Sequence, residues 1–424
     1  MPANARSVEL NSLRLVDDAD DGLPCIEAQW RMTGDLALPW KPRLDLEGRT
    51  LYTLGGEGGR ISSYDEAWAV TPSAALGQLL RPAPPGSRSK PSPAAEALPE
   101  AAAEAEAAAE TAAEHWAGQL QGQPPPTPKV SLRDAPPVVV LPGFGNDEID
   151  YIAPLEQPEE VGLAAALRRR GVASLSVVPV KRADWLNVLR GVADGKFWAG
   201  DAQPTGPAFR WYLAKTRAAV EEAVAARRAS QPRSDPRALL VGHSAGGWLA
   251  RAACLDEEWA KAHVRGIVTL GAPHLGPPPD VPDQTRGTVA NLNKLAPGAT
   301  LPPPFFYVTV GSARIVGDEG APAGSAQRTA FNSYRMVCGE GDVAGDGIVP
   351  LSAAHLEGAS QLTLDCFHSI AKPGTAMPTA DWYGAEPVID EWLAEVAAAL
   401  YLPCTFPVPS LYLPSGSPRL PPRW

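Results

Sequence analysis

The sequence predicts an α/β fold with a doubly wound, mostly parallel sheet, preceded by a small antiparallel β (α+β) segment. Three observations predict this fold. From Pro136 to about residue 400, short apolar runs alternate with amphipathic helical segments. Residues 1–82 contain runs in which apolar and polar residues alternate, separated by glycine-rich turns. A strand-like run and a helix-like run also flank a Gly-x-Ser-x-Gly motif in the second half of the chain.

The first 82 residues are predicted to form a small antiparallel sheet with one covered face. The clearest alternation joins Ile26, Ala28, Trp30 and Met32, which would all point to one face. Val8, Leu10, Leu13 and Leu15 are expected to bracket a turn-like stretch, and further strands are expected at 51–54 and 61–70. Residues 73–80 are expected to add a closing helical turn.

Residues 83–135 are predicted to be a linker, because proline-rich stretches open and close the segment. Between them, Ala101–Glu114 is almost entirely alanine and glutamate, which are strong helix formers. This run lacks an apolar stripe, so we expect a fraying spacer, with a partner-binding helix as the alternative. Residues 401–424 contain seven prolines and show no periodicity, so we expect a disordered tail.

The α/β domain is expected to span residues 136–400. Its predicted strands lie at 138–141, 175–180, 238–241, 266–270, 305–310, 333–338 and 361–364, and its main predicted helices lie at 159–170, 208–230, 245–255 and 382–400. This alternation is typical of parallel strands with helices on both faces of the sheet. Ligands then bind at the carboxyl ends of the strands.

Composition excludes several classes of function. The net charge of −11 argues against a nucleic-acid partner, because the phosphate backbone attracts a basic surface. The five cysteines are scattered and odd in number, which fits buried thiols in a reducing compartment. No apolar run is long enough to predict a transmembrane helix. The first 15 residues lack the apolar core of a signal peptide, so either the protein stays where it is made or its true start is missing.

Ser244 is the candidate nucleophile. It lies in Gly242-His-Ser-Ala-Gly246, between the predicted strand at 238–241 and the predicted helix at 245–255. A nucleophile elbow requires this context, and Gly242 and Gly246 allow the strand and the helix to pass closely. A serine hydroxyl is a poor nucleophile at neutral pH, so an adjacent base must activate it.

His368 is the candidate base among the four histidines that follow Ser244. It lies after the last predicted strand, where the chain order serine, acid, histidine places the base. His274 follows another predicted strand and is the alternative base, although its position suits a pocket-shaping role. His355 is interpreted as a helix-surface residue and His263 as a solvated loop residue.

Two aspartates compete for the role of the acid, because Asp342 and Asp346 both follow the predicted strand at 333–338. The acid holds the imidazole in the required tautomer and stabilises the imidazolium. Asp346 is preferred, since its flanking glycines permit a sharp turn and Ile348 and Val349 would anchor the loop. Asp342 is interpreted as a turn-forming aspartate that bonds its own backbone.

Two backbone N–H groups are expected to form an oxyanion hole. One belongs to Ala245, after the serine, and the other to Phe144, in the loop after the first strand of the domain. Gly143 and Gly145 allow close backbone approach in that loop. Dinucleotide binding is disfavoured, because the Gly-x-Gly-x-x-Gly pattern fails at Glu148. The histidines lack metal-ligand spacing, so neither a metal nor another cofactor is expected.

Residues 137–400 resemble an α/β-hydrolase of the lipase-like group, close to plant and cyanobacterial proteins described as similar to GPI inositol-deacylases. The matching motifs are Leu141-Pro-Gly-Phe-Gly-Asn, Gly242-His-Ser-Ala-Gly-Gly-Trp, Leu270-Gly-Ala-Pro-His, Gly345-Asp-Gly-Ile-Val-Pro and Phe367-His-Ser. Pro142 departs from the family, since lipases commonly carry a histidine there. The resemblance implies hydrolysis of an ester or thioester with a lipid or acyl substrate, and it places Asp346 at the acid position. It also implies a plastid or cyanobacterial setting, although no transit peptide is visible.

A second resemblance covers most of the N-terminal segment. Its motifs are Trp30-Arg-Met-Thr-Gly, Leu38-Pro-Trp-Lys-Pro, Gly48-Arg-Thr and Tyr64-Asp-Glu-Ala-Trp68. They resemble part of a plant and cyanobacterial family of nuclear-transport-factor-two-like domains, which are cone-shaped α+β folds. The helices that open that family are missing here, so we expect a sheet that packs on a neighbour or a degenerate remnant.

Substrate cover is expected from two insertions in the α/β domain. Residues 185–207 carry Trp185, Phe197 and Trp198, and residues 275–304 carry eight prolines without a clear strand. A long stretch without regular structure in a compact domain is usually functional, so we expect a lid. The alternative is that the tryptophans serve ordinary packing.

The sequence therefore predicts a serine hydrolase that cleaves a carboxylic ester of a lipid or another apolar acyl group. Two alternatives stay open: an acyltransferase that uses the same triad, and a non-catalytic binding or adaptor protein on a hydrolase scaffold. The expected partner is a small-molecule ester or a lipid, with no nucleic acid. A peripheral membrane contact is also compatible with the sequence.

Overall fold

The N-terminal part of the chain forms a four-stranded antiparallel sheet. The structure is a computed structural model that describes residues 6–17, 24–35, 43–55, 60–68, 127–132, 134–156, 158–322, 325–370 and 379–401. The strands are β1 (Arg6–Asp17), β2 (Pro24–Asp35), β3 (Arg43–Gly55) and β4 (Arg60–Trp68). They pair in chain order, each antiparallel to the next, which confirms the predicted antiparallel segment.

Trp30 shows how two of these strands are held together. It pairs with Gly48 of β3, and its indole lies so close that any side chain at position 48 would overlap the ring. Its Nε1 donates a hydrogen bond to Thr50 Oγ1 at 2.9 Å. Strand β3 begins before the predicted range 51–54, because the alternation continues back through Leu44, which pairs with β2.

Six parallel strands form the central sheet within the described part of the chain. They are β5 (Val138–Leu141), β6 (Leu175–Val177), β7 (Ala238–His243), β8 (Val264–Leu270), β9 (Phe306–Ser312) and β12 (Ser360–Leu364). Between β9 and β12, β10 (Ile315–Val316) and β11 (Ala344–Gly345) form a short antiparallel pair. The spatial order of the large sheet is β12-β9-β8-β7-β5-β6, and all neighbouring strands are parallel.

The helices connect these strands and cover both faces of the sheet. In the described segments they are α1 (Leu163–Arg169), α2 (Gly195–Trp198), α3 (Arg210–Ser230), α4 (Ala245–Ala253), α5 (Glu257–His263), α6 (Thr288–Leu295), α7 (Ala326–Cys338), α8 (Leu351–Ala354) and α9 (Glu386–Tyr401). Short 3₁₀ helices occupy Glu148–Tyr151, Pro154–Glu156, Glu159–Val161 and Arg182–Ala193.

Strand β5 explains why the apolar runs of this domain are continuous. Val138 and Val140 point into one core, which also contains residues of α1, α7 and α9. Val139 and Leu141 point into a second core, which contains residues of α3, α4 and α6. Because β5 is buried on both faces, each of its four side chains is apolar. Two cores on opposite faces of one parallel sheet confirm the predicted doubly wound sheet.

One predicted strand is wrong, because residues 333–338 form the end of helix α7. The Ser325 hydroxyl caps this helix by accepting from the Arg328 N–H, and Gly339 ends it with a φ of 85°. Ala330 and Tyr334 are buried at helical spacing on its inner face. The short apolar window from 333 to 338 contains too little of this period to reveal the helix.

The segment just before the domain is also fixed to it. Leu132 is fully buried, and the N–H groups of Lys129 and Val130 donate to the Asp390 carboxylate of α9. Packing against the domain therefore extends into the predicted linker. The predicted helical turn at 73–80, the Ala/Glu run at 101–114 and residues 402–424 lie outside the described residues.

The strand order creates a switch point between β5 and β7. The chain leaves β5 for β6 on one side, then crosses to β7 on the other side and continues to β8. The loops that follow β5 and β7 therefore meet at the carboxyl end of the sheet, where ligands bind in doubly wound folds. These loops contain residues 142–146 and Ser244. The domain has the α/β-hydrolase fold.

Candidate active site

Ser244 occupies a strained turn between β7 and α4. Its φ and ψ are 53° and −128°, a conformation that costs a non-glycine residue about 1–3 kcal/mol. A Cβ at Gly242 would lie 2.5 Å from the carbonyl oxygen of Gly246, and one at Gly246 would overlap that of Leu141. Both glycines are therefore required for β7, α4 and β5 to meet at this turn, as the sequence predicts for an elbow.

The structure brings Asp346 and His368 together. Asp346 Oδ2 accepts from His368 Nδ1 at 2.8 Å, and its Oδ1 accepts the N–H groups of Ile348 and Val349 at 2.9 and 2.7 Å. Asp346 is only 1% exposed. Burial works to raise the pKa of its carboxyl, but the adjacent His368 and the two amides outweigh it and hold this pKa below its ordinary value. The group is thus a buried carboxylate.

The competing acid lies elsewhere. Asp342 is exposed, and its side chain is not among the groups that contact His368 in the described residues. The loop explains the difference, because Asp346 bonds the two amides that follow it in an Asx-type turn. Its backbone N–H also donates to the carbonyl of Val349 at 3.2 Å, which closes the loop.

The other histidines lack a carboxylate partner in the part of the chain that the structure describes. His274 is fully buried, with Nε2 3.0 Å from the Thr269 hydroxyl and Nδ1 3.4 Å from the Arg251 guanidinium. Burial and the Arg251 charge place the pKa of His274 well below its ordinary value. His355, which follows the short helix α8, contacts the hydroxyls of Thr309 and Thr363.

Ser244 and His368 make no direct hydrogen bond among the described residues, but the residue before the serine contacts His368. The ring of His243, adjacent to the serine in sequence, lies 4.8 Å from the ring of His368. Gly271, which directly follows β8, brings its backbone against the Asp346–His368 pair. A methyl group there would lie 2.6 Å from Asp346 Oδ2 and 3.0 Å from His368 Nδ1.

The loop after β5 is a tight turn beside Ser244. The N–H of Asn146 donates to the carbonyl of Gly143 at 3.1 Å, and Gly145 has a φ of 76° at the third position of the turn. A methyl group at Gly143 would lie 2.8 Å from Ser244 Cβ, so a larger residue would push the loop away. Phe144 lies in the middle of this turn.

Side chains fix this turn from several directions. The Tyr151 hydroxyl accepts from the N–H of Gly143 and from Asn146 Nδ2, both at 2.9 Å. Trp185 Nε1 donates to the carbonyl of Asn146 at 2.9 Å, and the Tyr212 hydroxyl donates to the carbonyl of Pro142 at 2.7 Å. The N–H of Gly143 is therefore occupied. The amide of Phe144 is the group at the centre of the turn, and the amide of Ala245 has no intrahelical acceptor at the first position of α4.

Several residues of the site were not predicted from the sequence. Tyr383 donates to Asp346 Oδ2 at 3.1 Å, and Tyr151 contacts His243, which in turn bonds the carbonyl of His368. For His243, its position next to Ser244 was the one sequence signal that it could belong to the site. The two tyrosines lie in segments without a recognisable motif, so their contacts required the fold.

The two insertions contain regular structure, contrary to the prediction for residues 275–304. Helix α6 lies in the second insertion, and the 3₁₀ helix Arg182–Ala193 opens the first. The insertions also bond to each other: Asn291 Nδ2 donates to Asp201 Oδ1 at 2.8 Å and to the carbonyl of Ala202 at 3.0 Å. Trp185 is buried, and its ring centroid lies 4.9 Å from that of Phe144. This side chain therefore packs the first insertion against the turn at 143–146.

Among the residues with described placement, no group of three or more histidine, cysteine, aspartate or glutamate side chains is arranged to hold a metal ion. None of the described helices is both long enough and apolar enough to cross a membrane.

Comparison with known proteins gives one partial family match and several similar structures. The model of a family described as PGAP1-like alpha/beta domain matches residues 211–296, which include Ser244. Curated protein sequences give no significant match. The chain is similar in structure to the mature Bacillus licheniformis lipase BlEst2, with 15% identity over 60% of this chain and 95% of that chain and a TM-score of 0.35. It is also similar to the metagenomic carboxyl esterase MGS0156, with 14% identity over 65% and 79% of the two chains and a TM-score of 0.37.

Proposed function

We propose that the chain is a serine hydrolase that cleaves a carboxylic ester through an acyl-enzyme on Ser244. The observation that carries the proposal is the buried Asp346–His368 pair beside the strained serine turn, at the switch point of the sheet. The match of residues 211–296 to a PGAP1-like alpha/beta domain supports it, because that range contains the serine turn.

In the acylation step, Ser244 Oγ attacks the ester carbonyl carbon while His368 Nε2 accepts the hydroxyl proton. The carboxylate of Asp346 bonds Nδ1–H, so the lone pair stays on Nε2 and the imidazolium that forms is stabilised. The carbonyl oxygen becomes negative, and the amides of Phe144 and Ala245 donate hydrogen bonds to it. The fixed turn at 143–146 supports this assignment, because its donor needs no reorganisation.

The tetrahedral intermediate then collapses. His368 Nε2 gives its proton to the alcohol oxygen, the C–O bond breaks and the alcohol leaves, while the acyl group stays on Ser244. In the second half, water attacks the acyl carbon and His368 takes a proton from it. The carboxylic acid leaves when that proton returns to Ser244 Oγ.

The proposed substrate carries an apolar acyl group. Apolar side chains are exposed in the segments that follow the carboxyl ends of β5, β6 and β8; these are Phe144, Leu186, Trp198 and Leu275, with 63%, 68%, 44% and 51% of their surface accessible. Exposed large apolar side chains near a candidate site favour an apolar ligand. The proposal includes membership of residues 137–400 in the lipase-like group close to GPI inositol-deacylases, which these residues resemble in sequence.

We assign the chemistry to the domain of residues 136–400, because every proposed site residue lies within it. The N-terminal segment at 1–82, with its resemblance to nuclear-transport-factor-two-like domains, then serves targeting or interaction, and residues 83–135 and 401–424 serve as connecting and terminal segments. Deletion of residues 1–126 is expected to leave turnover unchanged. This cut keeps Lys129 and Val130, which bond to α9.

Labelling with a fluorophosphonate probe tests the proposal. Such a probe reacts with an activated serine, so the wild-type protein should be labelled and digestion should locate the adduct on the peptide that contains Ser244. Ser244→Ala should abolish labelling and lower kcat by about a million-fold. Labelling of the Ser244→Ala variant at wild-type rate would contradict the proposal.

A further inference from the structure

The Tyr151 hydroxyl makes three hydrogen bonds in a buried setting. It accepts from the N–H of Gly143 and from Asn146 Nδ2, and it lies 2.8 Å from His243 Nδ1. A tyrosine hydroxyl has one proton and two lone pairs. Because both lone pairs receive donors, the proton must be given to His243 Nδ1. The hydroxyl is then completely satisfied.

This arrangement fixes the tautomer of His243. Nδ1 is an acceptor, so the ring proton is on Nε2, which lies 2.8 Å from the carbonyl oxygen of His368 and donates to it. Burial, reinforced by the nearby His368, lowers the pKa of His243 to about 3, so the ring stays neutral near neutral pH. A neutral ring is what both hydrogen bonds require.

The resulting chain of hydrogen bonds joins the two loops of the candidate site. It runs from the N–H of Gly143 through Tyr151 and His243 to the carbonyl oxygen of His368. At one end, Phe144 follows Gly143 directly. At the other end, the backbone N–H of His368 already donates to the carbonyl of Asp346 at 3.0 Å. Both backbone polar groups of His368 are therefore fixed.

We propose that Tyr151 and His243 are positioning residues that hold the oxyanion donor of Phe144 and the imidazole of His368 in register across Ser244. The proposal rests on the proposed function, since it concerns the same site. Neither residue needs to touch the substrate. Each acts by removing the freedom of a loop that carries a reacting group, and misplacement by about 1 Å can cost about a hundred-fold in rate.

The alternative is that the two residues serve packing alone. A packing role predicts that the substitutions lower the stability of the fold without a selective loss of transition-state stabilisation. A positioning role predicts a lower kcat with little change in KM, because the substrate binds through other groups. It also predicts that a transition-state analogue loses affinity by the same factor as kcat, since only the transition state uses the aligned donor and base.

Tyr151→Phe and two substitutions of His243 test the proposal. Tyr151→Phe leaves three polar groups without the hydroxyl, so kcat for a 4-nitrophenyl ester should fall about 10- to 100-fold with KM within about two-fold. His243→Gln carries both an acceptor and a donor and should retain most of kcat. His243→Met carries neither and should match Tyr151→Phe. The affinity for a trifluoromethyl ketone with the same acyl chain should fall in parallel with kcat.

Tyr307→Phe is the matched control, because it removes a hydroxyl near the amino end of β9, at the opposite end of the sheet. Its kcat should equal that of the wild type at a similar melting temperature. If Tyr151→Phe does not fold, the Gln and Met variants at His243 carry the test. Wild-type kcat in Tyr151→Phe or in His243→Met, or equal losses in both His243 variants, would overturn the proposal. In those cases the proposed function still stands if the wild-type protein is active and is labelled by the fluorophosphonate probe. If the wild-type protein is not labelled at Ser244, the proposed function itself is refuted.

Discussion

Asp346→Asn is the substitution whose effect the structure defines best. The two oxygens of Asp346 have different partners: Oδ1 accepts the N–H groups of Ile348 and Val349, and Oδ2 accepts from His368 and Tyr383. An asparagine must place its oxygen at one position and its NH₂ group at the other. If the NH₂ group took the position of Oδ1, it would face the N–H groups of Ile348 and Val349, which are also donors. Two hydrogen bonds of about 1 kcal/mol each would be lost, and the facing donors would repel each other.

The asparagine therefore keeps its oxygen on the loop amides and directs NH₂ at His368 Nδ1. The imidazole must then accept at Nδ1 and carry its proton on Nε2, where it cannot take a proton from Ser244. We expect kcat to fall about ten-thousand-fold, which corresponds to about 5 kcal/mol of transition-state stabilisation. Folding should be retained, because both loop hydrogen bonds persist.

The assay is the steady-state hydrolysis of a 4-nitrophenyl ester by variants with matched melting temperatures. Asp342→Asn is the control, since Asp342 is exposed and the substitution should change kcat by less than about two-fold. A loss smaller than about ten-fold in Asp346→Asn, together with a large loss in Asp342→Asn, would refute the reasoning and identify Asp342 as the acid.

Three further predictions follow from the same contacts. Gly271→Ala should abolish turnover and lower the melting temperature, because its methyl group would meet Asp346 Oδ2 at 2.6 Å and its φ is 55°; an active, equally stable variant would contradict this. Burial lowers the pKa of His243 to about 3 and that of His274 well below 6.5, so below about pH 6.5 the unfolded chain binds protons at both rings that the folded chain does not. The free energy of unfolding by urea should then fall as the pH falls from 6.5 to 4.5, with a slope that approaches about 1.4 kcal/mol per pH unit for His243 and with a further fall from His274, and a flat profile would be inconsistent with neutral buried imidazoles. The kcat/KM for 4-nitrophenyl esters should rise from acetate to octanoate, since each buried methylene contributes roughly 0.8 kcal/mol, and a steady fall with chain length would exclude an apolar acyl pocket.

The sequence was sufficient for the parts of the site that depend on contiguous residues. The turn at Ser244 follows from a strand, two glycines and a helix that are adjacent in the chain, and the structure has all of them in that order. Asp346 could be preferred over Asp342 because its flanking glycines and the apolar Ile348 and Val349 are local features of the chain; the hydrogen bonds from the amides of these two residues became visible only in the structure. The roles of these residues in catalysis stay predictions.

Contacts between distant segments could not be predicted from one sequence. Tyr151 and His243 are 92 positions apart, and Tyr383 and Asp346 are 37 apart, so only the folded sheet brings them together. Helix α7 was missed for a different reason. Its apolar residues at 333–338 alternate over a short window, and the helical period appears only when Ala330 and the Ser325 cap are included.

The central claim is that Ser244 carries the acyl group during turnover, and intact-protein mass spectrometry after rapid acid quench tests it most directly. With a slowly hydrolysed 4-nitrophenyl octanoate or carbamate analogue, the protein should gain the mass of one acyl group, located on the Ser244 peptide. His368→Ala should reduce the rate of that gain, and Ser244→Ala should prevent it. Hydrolysis at wild-type rate by Ser244→Ala, or an acyl group found on another residue during turnover, would contradict the account.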